Sequence, residues 1–305
     1  VEQGYTDICG VLTDDIDFTA YPATMIGDSR TFSGTFDGAG HTVRIALVRT
    51  ADFAGLFGQL SGTVQDLTVR GTITTSRKYA GLAANLAGGT LLRCQSYIDI
   101  NATISGDGTH GGLAGLFNSG PDIPQIQDCI FAGTMNGSAV NCCGGLVGWA
   151  SSTGIISNSL MAGTLNISTS GGDIISRNNS NVIVLDTYYL PGWNASVPAD
   201  AISTDRYSMA CGKLCYQLNA GRTDDRQVWF QTLDEDQHPV PDSRHLPVWY
   251  YNGSYYNESP DGLPEQFANE KWPDGKWFDL SGRRIYGTPR RGLYIKDGKK
   301  TLYVK

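Results

Sequence analysis

A short motif, Gly-Leu followed by two small or apolar residues, recurs along the first half of the chain and constrains its fold more than any other feature. The copies are separated by 26, 31 and 33 residues and begin at Gly55, Gly81, Gly112 and Gly145. Repetition at such a period is typical of solenoids, in which one supersecondary unit stacks on the next. No copy has enough apolar surface to form a core alone, so neighbouring copies must bury one another. More degenerate copies run through 32–43 and begin near Asp173.

Two further elements follow the motif within each copy. The second element is a four-residue run found at 64–67, 91–94, 126–129, 156–159 and 184–187. The third alternates apolar and polar residues and is found at 69–73, 98–100, 131–135 and 161–165. Three short β runs per copy, without helical periodicity, predict one turn of a parallel β-helix with strands about 4.8 Å apart. The fold class we predict is therefore all-β, a right-handed parallel β-helix.

Stacking of the second element predicts two columns of side chains. The inward column would contain Leu67, Cys94, Cys129, Ser159 and Thr187. The outward column would contain Asp66, Arg93, Asp128, Asn158 and Asp186. Cys94 and Cys129 would lie on adjacent turns, within disulfide range by distance alone. We expect reduced thiols, because stacked inward side chains lie side by side and do not point at each other.

Composition excludes several classes of function. The net charge of −7 argues against a nucleic-acid partner or an anionic membrane surface, since both need a basic face. No apolar run is long enough for a membrane span. The seven cysteines are odd in number, and neither zinc spacing nor a phosphate-binding or nucleophile motif occurs. We therefore expect no cofactor and no metal site.

Several segments resemble a known family of surface proteins. The Gly-Leu copies resemble the GLUG-type repeats of bacterial adhesins, which also flank some secreted peptidases. Segments 12–18 and 32–43 are similar to the first turn of such proteins from Bacteroides-like bacteria. Segments 211–219 and 228–233 are similar to their closing segment. Segments 277–285 and 291–300 are similar to the C-terminal sorting-like β module of secreted Bacteroidetes proteins. The resemblance implies export to a bacterial cell surface (secreted or outer-membrane-associated) and brings no catalytic motif.

The same features predict a domain organisation. We expect the β-helix over 1–195, a segment at 196–256 that caps its open edge, a linker at 257–275 rich in Pro, Asp, Asn and Glu, and a small antiparallel β module at 276–305. The charge supports a late boundary: from Asp261 to Lys305 there are ten basic and six acidic residues, a net +4, so the preceding chain carries −11.

The outward column raises the possibility of an enzyme. Parallel β-helix lyases and hydrolases place acidic and basic groups on such a face. If the chain is an enzyme, Asp66, Arg93 and Asp128 would be its catalytic residues. The alternative is that opposite charges on adjacent turns simply pair with each other.

Aromatic residues provide a second set of candidates. The side chains that could stack on sugar rings are Tyr188, Tyr189, Trp193, Tyr255 and Tyr256. Alternatively, these rings pack the last turn against the closing segment. We expect Trp229 and Trp249 to be core residues, and Tyr255 and Tyr256 to be exposed.

A cluster of acidic residues and histidines in the closing segment is a third candidate. Its members are Asp234, Glu235, Asp236, His238, Asp242 and His245. The residue types suit a metal, but the spacing matches no metal motif, so we expect a solvated turn.

The sequence leaves three functions open. The first is a non-catalytic surface protein that binds a polysaccharide, a host or bacterial glycan, or a protein. The second is a polysaccharide lyase or glycoside hydrolase that uses the outward column. The third is a structural spacer.

Overall fold

The computed structural model describes residues 1–220, 222 and 226–258, together with four short strands nearer the C-terminus. The chain divides into two compact units, Val1–Glu258 and Ser259–Lys305. The first unit is a parallel β-solenoid, which confirms the predicted fold class.

Three parallel sheets run along the solenoid. Sheet 1 has seven strands: Cys9–Val11, Thr35–Asp37, Thr63–Gln65, Thr90–Leu92, Gln125–Gln127, Gly154–Ser157 and Val182–Leu185. Sheet 2 has ten: Ile16–Asp17, Thr42–Arg49, Thr68–Thr75, Gln95–Ala102, Ile130–Phe131, Thr134–Gly137, Leu160–Met161, Thr164–Ile167, Tyr188–Tyr189 and Ile202–Ser203. Sheet 3 has four: Phe57–Leu60, Ala83–Ala87, Ala114–Asn118 and Val147–Ala150.

The remaining elements are short. A two-stranded parallel pair joins Gly106–Asp107 to Val140–Asn141, and a 3₁₀ turn spans Asn179–Asn181. Helix α1 spans Arg206–Ala210 and helix α2 spans Lys213–Ala220. An antiparallel hairpin joins Trp249–Tyr251 to Ser254–Tyr256.

The second unit contains four short strands in one antiparallel sheet. They are Trp277–Phe278, Arg284–Ile285, Gly292–Lys296 and Lys299–Tyr303. The predicted linker at 257–275 lies outside the described residues except for Asn257 and Glu258.

The repeats align in the structure as their sequences predict. Val64, Leu91, Ile126, Ile156 and Val184 are paired in succession along sheet 1. The leucines of the Gly-Leu motifs are all buried in one continuous core. Ile175 continues their stack, because the Leu146 backbone N–H donates to its carbonyl oxygen. Residues about thirty apart in the chain are therefore neighbours in space.

The inward column is buried as predicted: Leu67, Cys94, Cys129, Ser159 and Thr187 are at most 1 % exposed. Cys94 and Cys129 are unbridged in the structure, although they lie on adjacent turns. Their sulfurs accept or donate weak hydrogen bonds within the coil; the Cys94 N–H, for example, lies 3.3 Å from the Cys129 sulfur.

The outward residues occupy the corner between sheets 1 and 2, and we call them the corner column. Its members have φ between 43° and 54° and are Asp66, Arg93, Asp128, Asn158 and Asp186. This left-handed conformation costs a side-chain-bearing residue about 1–2 kcal/mol, and Asp and Asn tolerate it best. The backbone of the corner thus explains why four of the five residues are Asp or Asn.

A second hydrophobic core lies outside the coil. Residues 205–248, which we call the lateral segment, pack Leu214, Leu218 and Trp229 against the outward side chains Ile130 and Leu160. Within the segment predicted to cap the open strand edge, 196–256, Ile202–Ser203 pairs with Tyr188–Tyr189 at the end of sheet 2, whereas the lateral segment covers one side of that sheet. The lateral segment packs there because the outward side chains of sheet 2 change from polar to apolar along the coil.

Inside the coil, one buried histidine links stability to pH. The Ala80 N–H donates to Nδ1 of His110 (3.1 Å), so the imidazole proton is on Nε2, which has no partner among the described residues. Burial lowers the pKa of His110 to about 4. Between pH 6.5 and 4 the unfolded chain therefore binds more protons, and stability falls as the pH falls.

We expect His110 to contribute a loss of about 3 kcal/mol between pH 7 and pH 4, because each unit of pKa difference corresponds to about 1.4 kcal/mol. Urea unfolding at several pH values should show a flatter profile for His110→Asn than for the parent. The amide oxygen of Asn can still accept from Ala80 but does not titrate. Parallel profiles for the two proteins would contradict this account.

Candidate functional site

A polar groove separates the first turns of sheet 2 from the lateral segment. It has two adjoining lobes of about 250 and 240 Å³ that share Gln95, Asp242 and Arg244. Each lobe is smaller than the roughly 300–1,000 Å³ typical of a drug-sized ligand site. The groove therefore suits a small, hydrogen-bonding ligand.

The coil supplies one wall of the groove from matching positions on successive turns. Thr42, Thr68 and Gln95 are paired in register, and so are Arg70 and Tyr97 two positions later. Because side chains alternate along a strand, all five belong to the outward face. Parallel stacking thus sets two columns of polar groups side by side.

The lateral segment supplies the other wall, and two of its carboxylates, Asp236 and Asp242, are engaged with internal partners. Asp242 accepts from the Arg244 side chain (2.7 Å to Nη2), and Arg244 also donates to the Gly40 carbonyl oxygen. Asp236 accepts from the Thr232 N–H (2.6 Å) and lies 2.7 Å from Nδ1 of His245. Burial alone would raise the pKa of Asp242, but its hydrogen bonds from Arg244 hold that pKa below the ordinary value.

Arg70 differs from the other cations of the groove. Its guanidinium carbon lies 3.8 Å above the centroid of the Tyr97 ring, and the side chain is exposed. Among the described residues, no carboxylate lies within ion-pairing distance of Arg70. The ring of Tyr97 is itself held by His238, whose ring centroid is 5.9 Å away, and burial raises the pKa of Tyr97 to about 12. The Arg70 guanidinium is thus stacked on the Tyr97 ring at the groove and makes no ion pair with a described residue.

In each of the two histidines of the groove, Nδ1 is the ring nitrogen that has a hydrogen-bond partner. Nδ1 of His238 lies 3.1 Å from the Pro239 carbonyl oxygen, and Nδ1 of His245 faces Asp236. Burial lowers the pKa of His238, which favours the neutral imidazole. In both rings Nε2 has no partner among the described residues and can bond to a ligand.

The prediction of a solvated turn holds for Asp234 and Glu235, which are exposed, but not for Asp242, which is buried, or for His238, which packs on Tyr97. In the described part of the chain, no group of three or more His, Cys, Asp or Glu side chains is arranged to hold a metal ion. Hydrophobic periodicity could not reveal this packing, since the segment is neither helix nor strand.

The corner column forms ion pairs and hydrogen bonds within itself. Arg93 makes a bidentate pair with Asp66, at 2.6 Å for both contacts. Asp128 is buried, accepts from Asn158 (2.7 Å), and pairs with Arg222 of the lateral segment. Asp66 and Arg93 line the second lobe of the groove, whereas Asp128 does not. These contacts favour a structural role for the three residues proposed as catalytic.

The aromatic hairpin, residues 249–256, presents a second candidate surface. Asn252 and Gly253 both have positive φ, as a tight two-residue hairpin turn requires. On one face of the hairpin the Tyr250 and Tyr255 rings lie 5.0 Å apart and both contact Tyr216 of α2, although Tyr250 is still 49 % exposed. The predicted exposure of Tyr255 is therefore only partial.

The opposite face of the hairpin is open. Its three rings, Trp249, Tyr251 and Tyr256, are 36 %, 46 % and 43 % exposed. They share this face because Trp249 is paired with Tyr256, and Tyr251 lies two positions along the strand from Trp249. The prediction that Trp229 is a core residue is confirmed, whereas the same prediction for Trp249 is wrong. The Asn-Gly turn, a strong hairpin signal in sequence, could have identified this surface.

Tyr188, Tyr189 and Trp193 pack at the end of the coil. Tyr189 and Trp193 contact the inner core, and Trp193 donates to the Ile167 carbonyl oxygen (3.2 Å). Tyr188 is part of the outer core. Since none of the three rings has an open face like that of the hairpin, the structure favours packing over sugar stacking for this group.

Comparison with known proteins supports the fold and gives little about activity. No family model matches the chain. A stretch of 97 residues is 33 % identical to Halomucin of Haloquadratum walsbyi; it covers 30 % of this chain and only 1 % of that protein. The chain also resembles the crystal structure of "a putative immunoglobulin A1 protease" from Bacteroides ovatus, with a TM-score of 0.52 and 16 % identity, over 77 % of this chain and 85 % of that one. At this identity the likeness shows the fold alone.

Among the described residues, no helix has the length and apolar character needed to cross a bilayer.

Proposed function

We propose that this chain is a secreted or cell-surface bacterial protein that binds glycans through the open face of its aromatic hairpin. The observation that carries the proposal is the set of three exposed rings, Trp249, Tyr251 and Tyr256, on one face of a short hairpin. Aromatic side chains with an apolar body and a polar tip suit the alternating apolar faces and hydroxyls of sugars. A solvent-exposed aromatic cluster of this kind marks an interaction surface.

The scaffold supports the same proposal. A β-solenoid with GLUG-type repeats and a C-terminal sorting-like module, divided near residues 195, 256 and 275, fits a displayed protein of a Bacteroides-type organism. Halomucin and the Bacteroides ovatus protein are consistent with a surface or extracellular setting, each by its name or source only. The ion pairs of Asp66 and Asp128 give no support to the alternative of a lyase or hydrolase that uses the corner column.

A glycan array with the purified protein tests the proposal. We expect Trp249→Ala combined with Tyr256→Ala to weaken binding at least about tenfold, since each stacked ring contributes roughly 1 kcal/mol or more beyond its buried area. Thermal unfolding should be measured in parallel, because Trp249 and Tyr256 are only 36 % and 43 % exposed and also lose packing contacts on truncation.

Tyr207→Ala is the matched control, because Tyr207 is 78 % exposed and lies outside the hairpin. It should bind like the parent. If the parent binds no plant, host or bacterial glycan, the glycan-binding proposal is wrong and the spacer role remains.

A further inference from the structure

A second binding site on this protein follows from the unpaired cation in the polar groove. We propose that the groove binds the carboxylate of an acidic sugar residue, a uronate, with Arg70 as the group that holds its carboxylate. The ligand class rests on the proposed glycan-binding function, but the site is separate from the aromatic hairpin.

Arg70 is the cation of the groove that remains for an anionic ligand, although the lining of the two lobes has five carboxylates and three guanidiniums. Arg93 is paired with Asp66, and Arg244 with Asp242, so these cations are already neutralised. Arg70 lines the same groove without a carboxylate within 4 Å among the described residues. A carboxylate ligand can therefore pair with Arg70 without displacing an ion pair of the protein.

The geometry of Arg70 suits a carboxylate in particular. Its guanidinium is held over the Tyr97 ring at 3.8 Å, and Tyr97 is fixed by His238 and by a 3.2 Å hydrogen bond to Gln95. The fork is therefore positioned before a ligand arrives, which reduces the entropy lost on binding. A planar, fixed fork of N–H donors matches the two oxygens of a carboxylate.

The remaining lining suits a hydroxylated ring. Thr42, Thr68 and Gln95 present hydroxyl and amide groups from adjacent turns, and His238 and His245 each have Nε2 available. Hydroxyls can both donate to and accept from these groups. A lobe of about 250 Å³ limits the ligand to a small unit such as one sugar residue of a chain.

Two carboxylates of the first lobe, Glu235 and Asp236, act in the opposite direction, because neither is paired with Lys or Arg among the described residues. Glu235 is exposed at the rim, and no cation lies within ion-pairing distance of it among the described residues. Its charge repels a bound carboxylate, weakly because water and salt screen it. The proposal therefore predicts that neutralising Arg70 weakens uronate binding and that neutralising Glu235 strengthens it.

Calorimetric titration with methyl glycosides of galacturonate and glucuronate, each compared with its neutral parent sugar, tests the proposal. We expect at least one uronide to bind at least about tenfold more tightly than the neutral sugar, since hydrogen bonds to charged groups are stronger than those between neutral groups. Arg70→Gln should abolish this preference, Arg70→Lys should retain part of it, and Glu235→Gln should strengthen binding.

Arg44→Gln is the matched control, because Arg44 is the exposed residue paired with Arg70 on the preceding turn and does not line the groove. It should bind like the parent. Equal affinity for acidic and neutral sugars, or a uronide preference that survives Arg70→Gln, would overturn the proposal.

The test also separates the two sites. The Trp249→Ala, Tyr256→Ala variant should keep the uronide preference, and Arg70→Gln should keep the binding of neutral glycans on the array. If the hairpin fails to bind any glycan, uronide binding in the groove can still be measured. If the groove fails, binding at the hairpin is unaffected.

Discussion

Replacing Gly112 with alanine is expected to destabilise the solenoid by more than about 3 kcal/mol. A Cβ atom at this position would lie 2.1 Å from Cγ of Phe131 and 2.3–2.4 Å from its two Cδ atoms. Phe131 is completely buried, and its ring is also confined on the next turn by Gly163. The ring has no space to move, so overpacking must distort the backbone of the coil.

Thermal and urea unfolding measure this effect. A loss of this size corresponds to a fall in Tm of roughly 6–12 °C for a unit of this length. Gly10→Ala is the matched control, since a Cβ there has no neighbour within 4 Å and φ is not positive. It should change stability by no more than about 0.5 kcal/mol.

A double variant identifies the cause. Phe131→Ala alone should cost about 3–5 kcal/mol, because it leaves a cavity. Combined with Gly112→Ala, the total loss should be clearly less than the sum of the two single losses, since the added methyl group then fills vacated space. Additive losses would show that the Phe131 ring is not the obstacle.

The second large effect is expected at Asp128, where the lateral segment is attached to the coil by an ion pair. The side chains of Asp128 and Arg222 are 1 % and 6 % exposed. Asp128→Ala removes this carboxylate from a buried guanidinium and also removes the acceptor for Asn158. Breaking a buried pair by deleting one partner costs about 3–5 kcal/mol.

Asp186→Ala is the control for the backbone contribution. Asp186 occupies the same corner column with φ 43° but is exposed, so its replacement should cost only about 1 kcal/mol for alanine in the left-handed region. Asp128→Asn tolerates that conformation and keeps an acceptor for Asn158. If Asp128→Asn loses as much stability as Asp128→Ala, the loss is therefore due to the ion pair.

Limited proteolysis should show where the structure opens. Loss of the pair is expected to release the lateral segment first, so cleavage within 205–248 should accelerate more than cleavage within the coil. Equal stability of Asp128→Ala and Asp186→Ala would contradict a role for the Arg222 pair.

The candidate sites were only partly predictable, and the reason differs from site to site. The corner column was identified from the repeats, but its left-handed backbone and the burial of Asp128 depend on the turn and on the lateral segment. Arg70 and Tyr97 were missed as a pair. Their register on adjacent turns is implied by the repeats, but the lateral segment that makes a groove beside them has no repeat.

The sequence by itself determined the solenoid. Glycine-leucine spacing and period-2 alternation dictate which side chains enter the core, because each turn must bury its apolar face on the next. This local rule places Val64, Leu91 and Ile126 in one stack without knowledge of any distant residue.

Tertiary structure alone decided what covers the outside of the coil. The outward column of sheet 2 is polar at Thr42, Thr68 and Gln95, but apolar at Ile130 and Leu160. An outward apolar residue shows that something packs there, but not which segment does. Residues 205–248 lack periodicity, so their position depends on non-local packing against Ile130 and Leu160, and the groove, the buried pair and the open hairpin face follow from that packing.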